Sequence, residues 1–207
     1  MGAHQCTLSL DKKHIIITFS ESTKDHGPSL AWFDVNTGEL VKRIYGLAPY
    51  AEHFLETNDN NIVYTGGRLT NTQPQPLVVF GSIDKDKKVN NFDVSKMLNS
   101  KDFIGQGIAI IALEHKKQFV VTNLTTGLIY FYNYESGALV KTLEIRKPRG
   151  ISLSNDGKKI YVTSLSFKQI KKRAEVTVID VDTLKTLDTF MIQNSLAFSS
   201  HISKYTL

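Results

Sequence analysis

Runs of consecutive apolar residues, each closed by a threonine, recur four times along the chain. They read Ile-Ile-Ile-Thr at residues 15–18, Ile-Val-Tyr-Thr at 62–65, Phe-Val-Val-Thr at 119–122 and Ile-Tyr-Val-Thr at 160–163. Successive threonines lie 47, 57 and 41 positions apart. β-Branched and aromatic residues favour strands, and a strand that is apolar at every position needs cover on both faces. A repeat of this length around such a strand is typical of the blades of a β-propeller.

Turn residues between the runs divide the chain into four units of four predicted strands each. We predict blades at about residues 4–46, 51–94, 107–146 and 149–192, in a single domain over residues 1–207 with a C-terminal tail at 193–207. Residues 33–42, FDVNTGELVK, align without a gap with residues 132–141, YNYESGALVK. Their Asp, Asn and Gly residues suit tight turns. The sequence therefore predicts an all-β fold with about four blades of four antiparallel strands.

The innermost strand of each predicted blade comes before its apolar run. We predict that these inner strands begin near Cys6, His53, Ile108 and Gly150. In a propeller, the residues just before each inner strand gather around the central channel at one face. The predicted strand starts therefore decide which side chains lie at the channel mouth.

Composition excludes several classes of protein. Apolar residues make up 41% of the 207 positions, which is enough for a core, and the net charge of +5 includes no block of five like charges. Nucleic-acid binding is therefore not required, and the basic residues at 168–173 are expected to form a solvated loop. The single cysteine excludes an internal disulfide. The longest apolar run, residues 108–113, is too short to span a membrane, and the N-terminal residues lack the order of a secretion signal.

Several motifs resemble known propellers. Residues 155–164, NDGKKIYVTS, are similar to the Y-V-T-N repeat of bacterial seven-bladed propellers. Residues 28–40, PSLAWFDVNTGEL, with Gly-Ala-His-Gln at 2–5 and Ser-His at 200–201, resemble an uncharacterised bacterial domain-of-unknown-function family. Its members are typically exported propellers, often encoded beside imelysin-like and other iron-uptake proteins. The resemblance implies the C-terminal part of a seven-bladed propeller and a periplasmic location, and it supplies no established activity.

Four blades pose a problem of closure. An open arc leaves the apolar flanks of its two end blades bare, and monomers rarely expose that much apolar surface. We therefore expect self-association of the chain when it is isolated. The alternative is a closed ring of four blades, which would be the small extreme of the architecture.

Polar residues near the inner-strand starts are the candidate ligands. His4, His53, Gln106 and Arg149 lie 14, 12, 16 and 14 positions before the anchoring threonines of their blades. Imidazole is a ligand for Zn, Cu, Fe and Ni, and Glu52 beside His53 could orient an imidazole or ligate directly. The candidate channel-mouth site therefore consists of His4, Glu52, His53, Gln106, Arg149 and His201, with His4, His53 and His201 as the metal-ligand candidates. Solvated polar residues without a function are the alternative interpretation.

Recognisable catalytic motifs are absent from the sequence. It contains no Gly-x-Ser-x-Gly elbow and no phosphate-binding glycine loop. We therefore expect a non-enzymatic binding or scaffold propeller that requires no cofactor, with a transition metal, a small ligand or a protein as its partner. The resemblance to the uncharacterised bacterial family implies a link to iron uptake. One alternative is a cytoplasmic interaction module of the WD-repeat kind, although the Trp-Asp pair is missing. The other is a propeller enzyme with His53 as base and Arg149 as anion clamp.

Overall fold

The computed structural model describes residues 3–20, 27–48, 51–66, 79–84, 86–92, 107–166 and 173–192. These residues form sixteen strands in four antiparallel sheets, and each sheet contains four strands that pair in chain order. A 3₁₀ turn at Glu114–Lys116 is the helical element within these ranges. No helix in the described part of the chain is long and apolar enough to cross a membrane. The prediction of an all-β fold with four blades is confirmed.

The four sheets are numbered here as blades 1 to 4. Blade 1 contains β1 (Ala3–Leu8), β2 (His14–Phe19), β3 (Ser29–Asp34) and β4 (Leu40–Tyr45). Blade 2 contains β5 (Ala51–Glu56), β6 (Ile62–Gly66), β7 (Val79–Ile83) and β8 (Val89–Asn91). Blade 3 contains β9 (Gly107–Leu113), β10 (Gln118–Asn123), β11 (Leu128–Asn133) and β12 (Leu139–Glu144). Blade 4 contains β13 (Pro148–Leu153), β14 (Lys159–Ser166), β15 (Arg173–Asp180) and β16 (Thr186–Ile192).

The outer hairpins close by the same turn chemistry in blades 1, 3 and 4. Oδ1 of Asp34 accepts the backbone N–H groups of Asn36 and Thr37, and Oδ1 of Asn133 and of Asp180 accept equivalent groups in their own turns. The N–H of Thr37 is the largest of the effects that lower the pKa of Asp34. Short polar side chains that bond their own backbone are what these turns require. The predicted alignment of the outer hairpins therefore has a physical basis.

The inner strands begin earlier than the sequence predicted. β1 starts at Ala3 rather than near Cys6, and β13 starts at Pro148 rather than near Gly150. The candidate ligands of these blades therefore lie inside the strands and not before them. The prediction missed this because irregular pairing near the strand start breaks the alternation from which strand bounds are read.

Each apolar run supplies both faces of its blade. Ile62 and Tyr64 pack in the cluster between blades 1 and 2, whereas Val63 packs in the cluster between blades 2 and 3. In blade 3, Val120 faces blade 4 while its two neighbours in the run face blade 2. We call the side toward the preceding blade the near face and the side toward the following blade the far face. Consecutive apolar residues are needed because an interior blade is covered on both faces.

Three apolar clusters fill the spaces between successive blades. Trp32 and Phe54 belong to the cluster between blades 1 and 2, Val63 and Tyr132 to that between blades 2 and 3, and Phe131 to that between blades 3 and 4. A closed ring would need a fourth cluster between blade 4 and blade 1. None occurs among the described residues. The described residues of the four blades therefore form an open propeller arc.

Gly81 in β7 makes room for the largest side chain of the apolar run in blade 2. A Cβ at this position would collide with the phenol of Tyr64 and with the carbonyl oxygen of Asn90. Tyr64 is fully buried, and its hydroxyl donates a hydrogen bond to Oδ1 of Asn91. Burial raises the pKa of Tyr64, so this hydroxyl remains protonated. The blade therefore depends on the missing side chain at position 81.

The substitution Gly81→Ala is expected to lower the free energy of unfolding by about 1–3 kcal/mol, the usual cost of overpacking. The backbone carbonyl at Asn90 cannot yield as a flexible side chain would. Gly27→Ala is the matched control, because a Cβ there meets nothing within 4 Å. Urea unfolding followed by circular dichroism measures both variants. Equal stability of the two would contradict this account of Gly81.

Candidate metal centre

Each inner strand carries an irregularity opposite the anchoring threonine of its own blade. The pairing of β1 with β2 shifts register between Ala3 and Cys6, and that of β5 with β6 shifts between Ala51 and His53. The inner strands β9 and β13 carry the same kind of shift. A β-bulge adds a residue to one strand, interrupts the ladder and occurs frequently beside functional sites. The bulges release inner-strand backbone groups from pairing within their own blade.

The threonine hydroxyls use the released groups to join neighbouring blades. Oγ1 of Thr18 accepts the N–H of Gln5 at 2.9 Å and donates to the carbonyl oxygen of Glu52, in blade 2, at 2.8 Å. Oγ1 of Thr122 likewise donates to the carbonyl oxygen of Arg149, in blade 4, at 2.7 Å. We call this contact the threonine bridge. It fixes the inner strand of one blade against the inner strand of the next.

Gln5 holds the junction of blades 1 and 2 through its side chain as well. Nε2 of Gln5 donates to the carbonyl oxygen of Phe54 at 3.1 Å, and Oε1 accepts the N–H of the same residue at 2.8 Å. The side-chain amide thus pairs with the backbone of β5 as a neighbouring strand would. Together with Thr18, it fixes the separation of β1 and β5 beside His4 and His53.

His4, Glu52 and His53 meet at this junction. Nε2 of His4 lies 3.5 Å from Oε2 of Glu52, and the imidazole rings of His4 and His53 pack edge to face with their centroids 4.8 Å apart. One possible ligand atom from each residue can be chosen so that all three lie within 4.8 Å of one another. Glu52 and His53 are buried, whereas the side chain of His4 is 37% exposed. The cluster therefore has a buried floor and one side open to solvent.

Two imidazole nitrogens and a carboxylate oxygen suit a first-row transition metal. Metal–ligand distances of about 2.0–2.2 Å place two ligands of a tetrahedral ion roughly 3.4 Å apart, which matches the 3.5 Å between His4 and Glu52. His53 needs to approach the other two by no more than about 1.5 Å to complete that geometry. Three protein ligands leave a coordination position open, as in sites that exchange a bound molecule.

Arg149 is a predicted site residue that lies away from this cluster. Arg149 is the residue after the one at which the irregular pairing of β13 begins. His4 has the same position in β1, and Glu52 has it in β5. It lies at the junction of blades 3 and 4, and its buried Nε has no hydrogen-bond partner among the described residues. Gln106 and His201 lie outside the described residues.

Sequence reasoning did not assign a role to the two residues that hold the site. Thr18 served as a marker of the repeat, and Gln5 was quoted only as part of the Gly-Ala-His-Gln motif at residues 2–5. A signal was present, because a polar residue that recurs at the same place in four buried runs must find hydrogen-bond partners. The identity of those partners depends on contacts between blades, which the linear pattern does not contain.

Neither a family model nor a curated protein matches this sequence. The fold is similar to solved structures, among them hydrazine synthase from Kuenenia stuttgartiensis, with a TM-score of 0.69 and 16% identity over 94% of this chain and 50% of that one. The periplasmic gluconolactonase PpgL of Pseudomonas aeruginosa gives a TM-score of 0.60 and 16% identity over 89% of this chain and 56% of that one. TolB from Acinetobacter baumannii gives a TM-score of 0.56 and 21% identity over 95% of this chain and 45% of that one.

These similarities establish the fold and leave the function open. The chain spans about half the length of the solved chains it matches. The expected likeness to β-propellers is confirmed, whereas membership of the uncharacterised bacterial family stays a prediction. One neighbour is named as a lactonase and another as TolB, and a shared fold does not decide between catalysis and binding.

The substitution Thr18→Val tests the threonine bridge. Valine keeps the shape of the side chain but leaves the N–H of Gln5 and the carbonyl of Glu52 without the hydroxyl, at an expected cost of about 1–3 kcal/mol in the free energy of unfolding. Thr18→Ser keeps the hydroxyl, so its free energy of unfolding is expected to fall clearly less than that of Thr18→Val. Urea unfolding of the three proteins measures the difference. A valine variant as stable as the wild type would show that the bridge is dispensable.

Proposed function

We propose that this chain is a non-enzymatic binding propeller that holds a divalent transition-metal ion at His4, Glu52 and His53. The observation that carries the proposal is the meeting of two imidazoles and a carboxylate within 4.8 Å, contributed by two different blades. Hard cations such as Mg²⁺ and Ca²⁺ prefer sites built from oxygen atoms alone. The two imidazoles therefore favour Zn²⁺, Fe²⁺, Co²⁺, Ni²⁺ or Cu²⁺.

The surroundings of the cluster support binding rather than chance proximity. Thr18 and Gln5 fix the backbone on both sides of the junction, so the adjustment left when an ion binds is the approach of the His53 side chain by no more than about 1.5 Å. Glu52 and His53 are buried, which shields the ion from one side. The exposed side, beside His4, leaves room for a small ligand or for a side chain of a protein partner to complete the coordination.

The ligands His4, Glu52 and His53 are consistent with a role in iron binding. Two histidines and a carboxylate with open positions are typical of non-haem Fe²⁺ sites. The sequence resembles exported propellers encoded beside iron-uptake proteins, and PpgL, one of the similar structures, is named as periplasmic. We infer that the chain binds iron or a related metal in the periplasm and presents it to a partner.

Metal titration of the purified protein tests the proposal. Isothermal titration with Zn²⁺ and absorption spectroscopy with Co²⁺ are expected to show one bound ion per chain. His4→Ala, Glu52→Gln and His53→Ala are each expected to weaken binding by more than about tenfold, because each removes a ligand. His115→Ala is the matched control, because His115 is an exposed histidine in the 3₁₀ turn of blade 3.

Two results would contradict the proposal. One is the absence of binding by the wild-type protein when the imidazoles are neutral, since protonated histidine cannot ligate. The other is an equal loss of affinity in the three site variants and in His115→Ala. In either case the contact between His4 and Glu52 is only a polar contact at the junction of blades 1 and 2.

A further inference from the structure

The near face of blade 1 is incompletely covered. Ile15 and Ile17 are the first and third apolar residues of their run, and both are half-buried. The residues at the same positions in blades 2, 3 and 4 are buried and pack against the preceding blade; they are Ile62, Tyr64, Phe119, Val121, Ile160 and Val162. The difference follows from position in the arc, because blade 1 has no preceding blade among the described residues.

The far face of blade 4 shows the complementary deficiency. Tyr161, the middle residue of its run, is half-buried, whereas Ile16 at the same position in blade 1 is fully buried. On the outer strands, Phe190 in blade 4 is equivalent to Ile44 in blade 1. Thr163 pairs with Val176, which pairs with Phe190; Thr18 pairs with Leu30, which pairs with Ile44. Ile44 is 9% exposed and packs between blades 1 and 2, but Phe190 is 45% exposed. Val176 and Val178 on the same face of blade 4 are buried, so the exposed apolar part of this flank lies at Phe190 and Tyr161.

No blade follows blade 4 among the described residues, so its anchoring threonine has no next inner strand there to bridge to. Oγ1 of Thr163 accepts the N–H of Gly150 at 3.0 Å and lies 3.3 Å from the carbonyl oxygen of the same residue, as Oγ1 of Thr18 lies 3.3 Å from that of Gln5, but it has no hydrogen bond to a next blade among the described residues. In blades 1 and 3 the corresponding hydroxyl donates to the next blade, at Glu52 and Arg149. The position equivalent to these two acceptors in blade 1 is His4.

We propose that the far face of blade 4 docks on the near face of blade 1 of a second copy of this chain. Phe190 and Tyr161 of one copy would cover Ile15 and Ile17 of the other, and Thr163 would donate to the carbonyl oxygen of His4 in the second copy. The contact continues the interface that already joins blades 1 to 2, 2 to 3 and 3 to 4. It joins two different surfaces, so it can close into a ring. A ring of two copies would contain eight such blades.

This docking bears on the metal site. His4 is the exposed member of the candidate cluster, and its own backbone receives no threonine bridge from the described residues, unlike that of Glu52. A bridge from the second copy would fix β1 at the residue that supplies the open side of the site. The docking stands without a bound metal, whereas this consequence for His4 rests on the proposed function.

Sedimentation velocity of the wild-type protein at micromolar concentrations is expected to show a species of twice the chain mass. Phe190→Asp is expected to weaken this association at least tenfold, and its exposure means that the fold tolerates the change. Leu187→Asp is the matched control on the same strand. Leu187 lies at the bulge of β16 and is 54% exposed, and its counterparts Val41 and Val140 are exposed even in blades that have a following blade.

Mixing two variants tests the head-to-tail arrangement. Ile15→Asp damages only the blade 1 flank and Phe190→Asp only the blade 4 flank, so an equimolar mixture retains one intact interface. Native mass spectrometry is expected to show a mixed dimer of the two variants, while each alone is monomeric. A monomeric wild type, larger open-ended polymers, or dimers of Ile15→Asp alone would overturn the proposal.

Metal binding is measured separately on the same proteins, so that the two proposals fail independently. Association without Zn²⁺ binding would overturn the metal site and leave the docking intact. Equal Zn²⁺ affinity in wild type and Phe190→Asp, with the wild type dimeric, would overturn the claim that the second copy orders His4. The expected result is a severalfold loss of Zn²⁺ affinity in Phe190→Asp and none in Leu187→Asp.

Discussion

The hydrogen bond from a threonine hydroxyl to the inner strand of the next blade is the contact on which this arc depends. A propeller blade cannot bury both faces alone, so its stability comes from its neighbours. The apolar run supplies the packing on both sides, and the threonine that closes the run sets how far the next inner strand stands away. Thr18 and Thr122 each satisfy two backbone groups that a β-bulge has released. A buried donor or acceptor left without a partner costs more than the net gain of a typical hydrogen bond, so the bulge and the threonine require each other.

The candidate metal centre follows from the same arrangement. The bulge of β1 places His4 at the strand start, the bridge from Thr18 holds the backbone of Glu52, and Gln5 clamps β5 one residue beyond His53. These side chains come from three separate places in the sequence, namely residues 4–5, residue 18 and residues 52–53. They converge because the junction between two blades has a fixed width. A site of this kind is as rigid as the interface that contains it.

The sequence was sufficient for the fold because the repeat is dense in local information. The four runs predict strands covered on both faces, and the Asp, Asn and Gly residues near Asp34 and Asn133 predict hairpins that the structure contains. The residues at which the inner strands begin were harder to predict from the sequence. A bulge adds one residue and reverses the side to which the next residue points, so the direction of His4 could not be derived by counting back from Thr18. The meeting of His4 with Glu52 depends on two strands that are distant along the chain, and only the assembled blades show it.

The most direct test of the metal centre is a crystal structure of the Zn²⁺-soaked protein with anomalous data collected at the zinc edge. The account predicts an anomalous peak about 2.0–2.2 Å from a nitrogen of His4, an oxygen of Glu52 and a nitrogen of His53. A peak of full occupancy elsewhere, with no density between these three side chains, would contradict it.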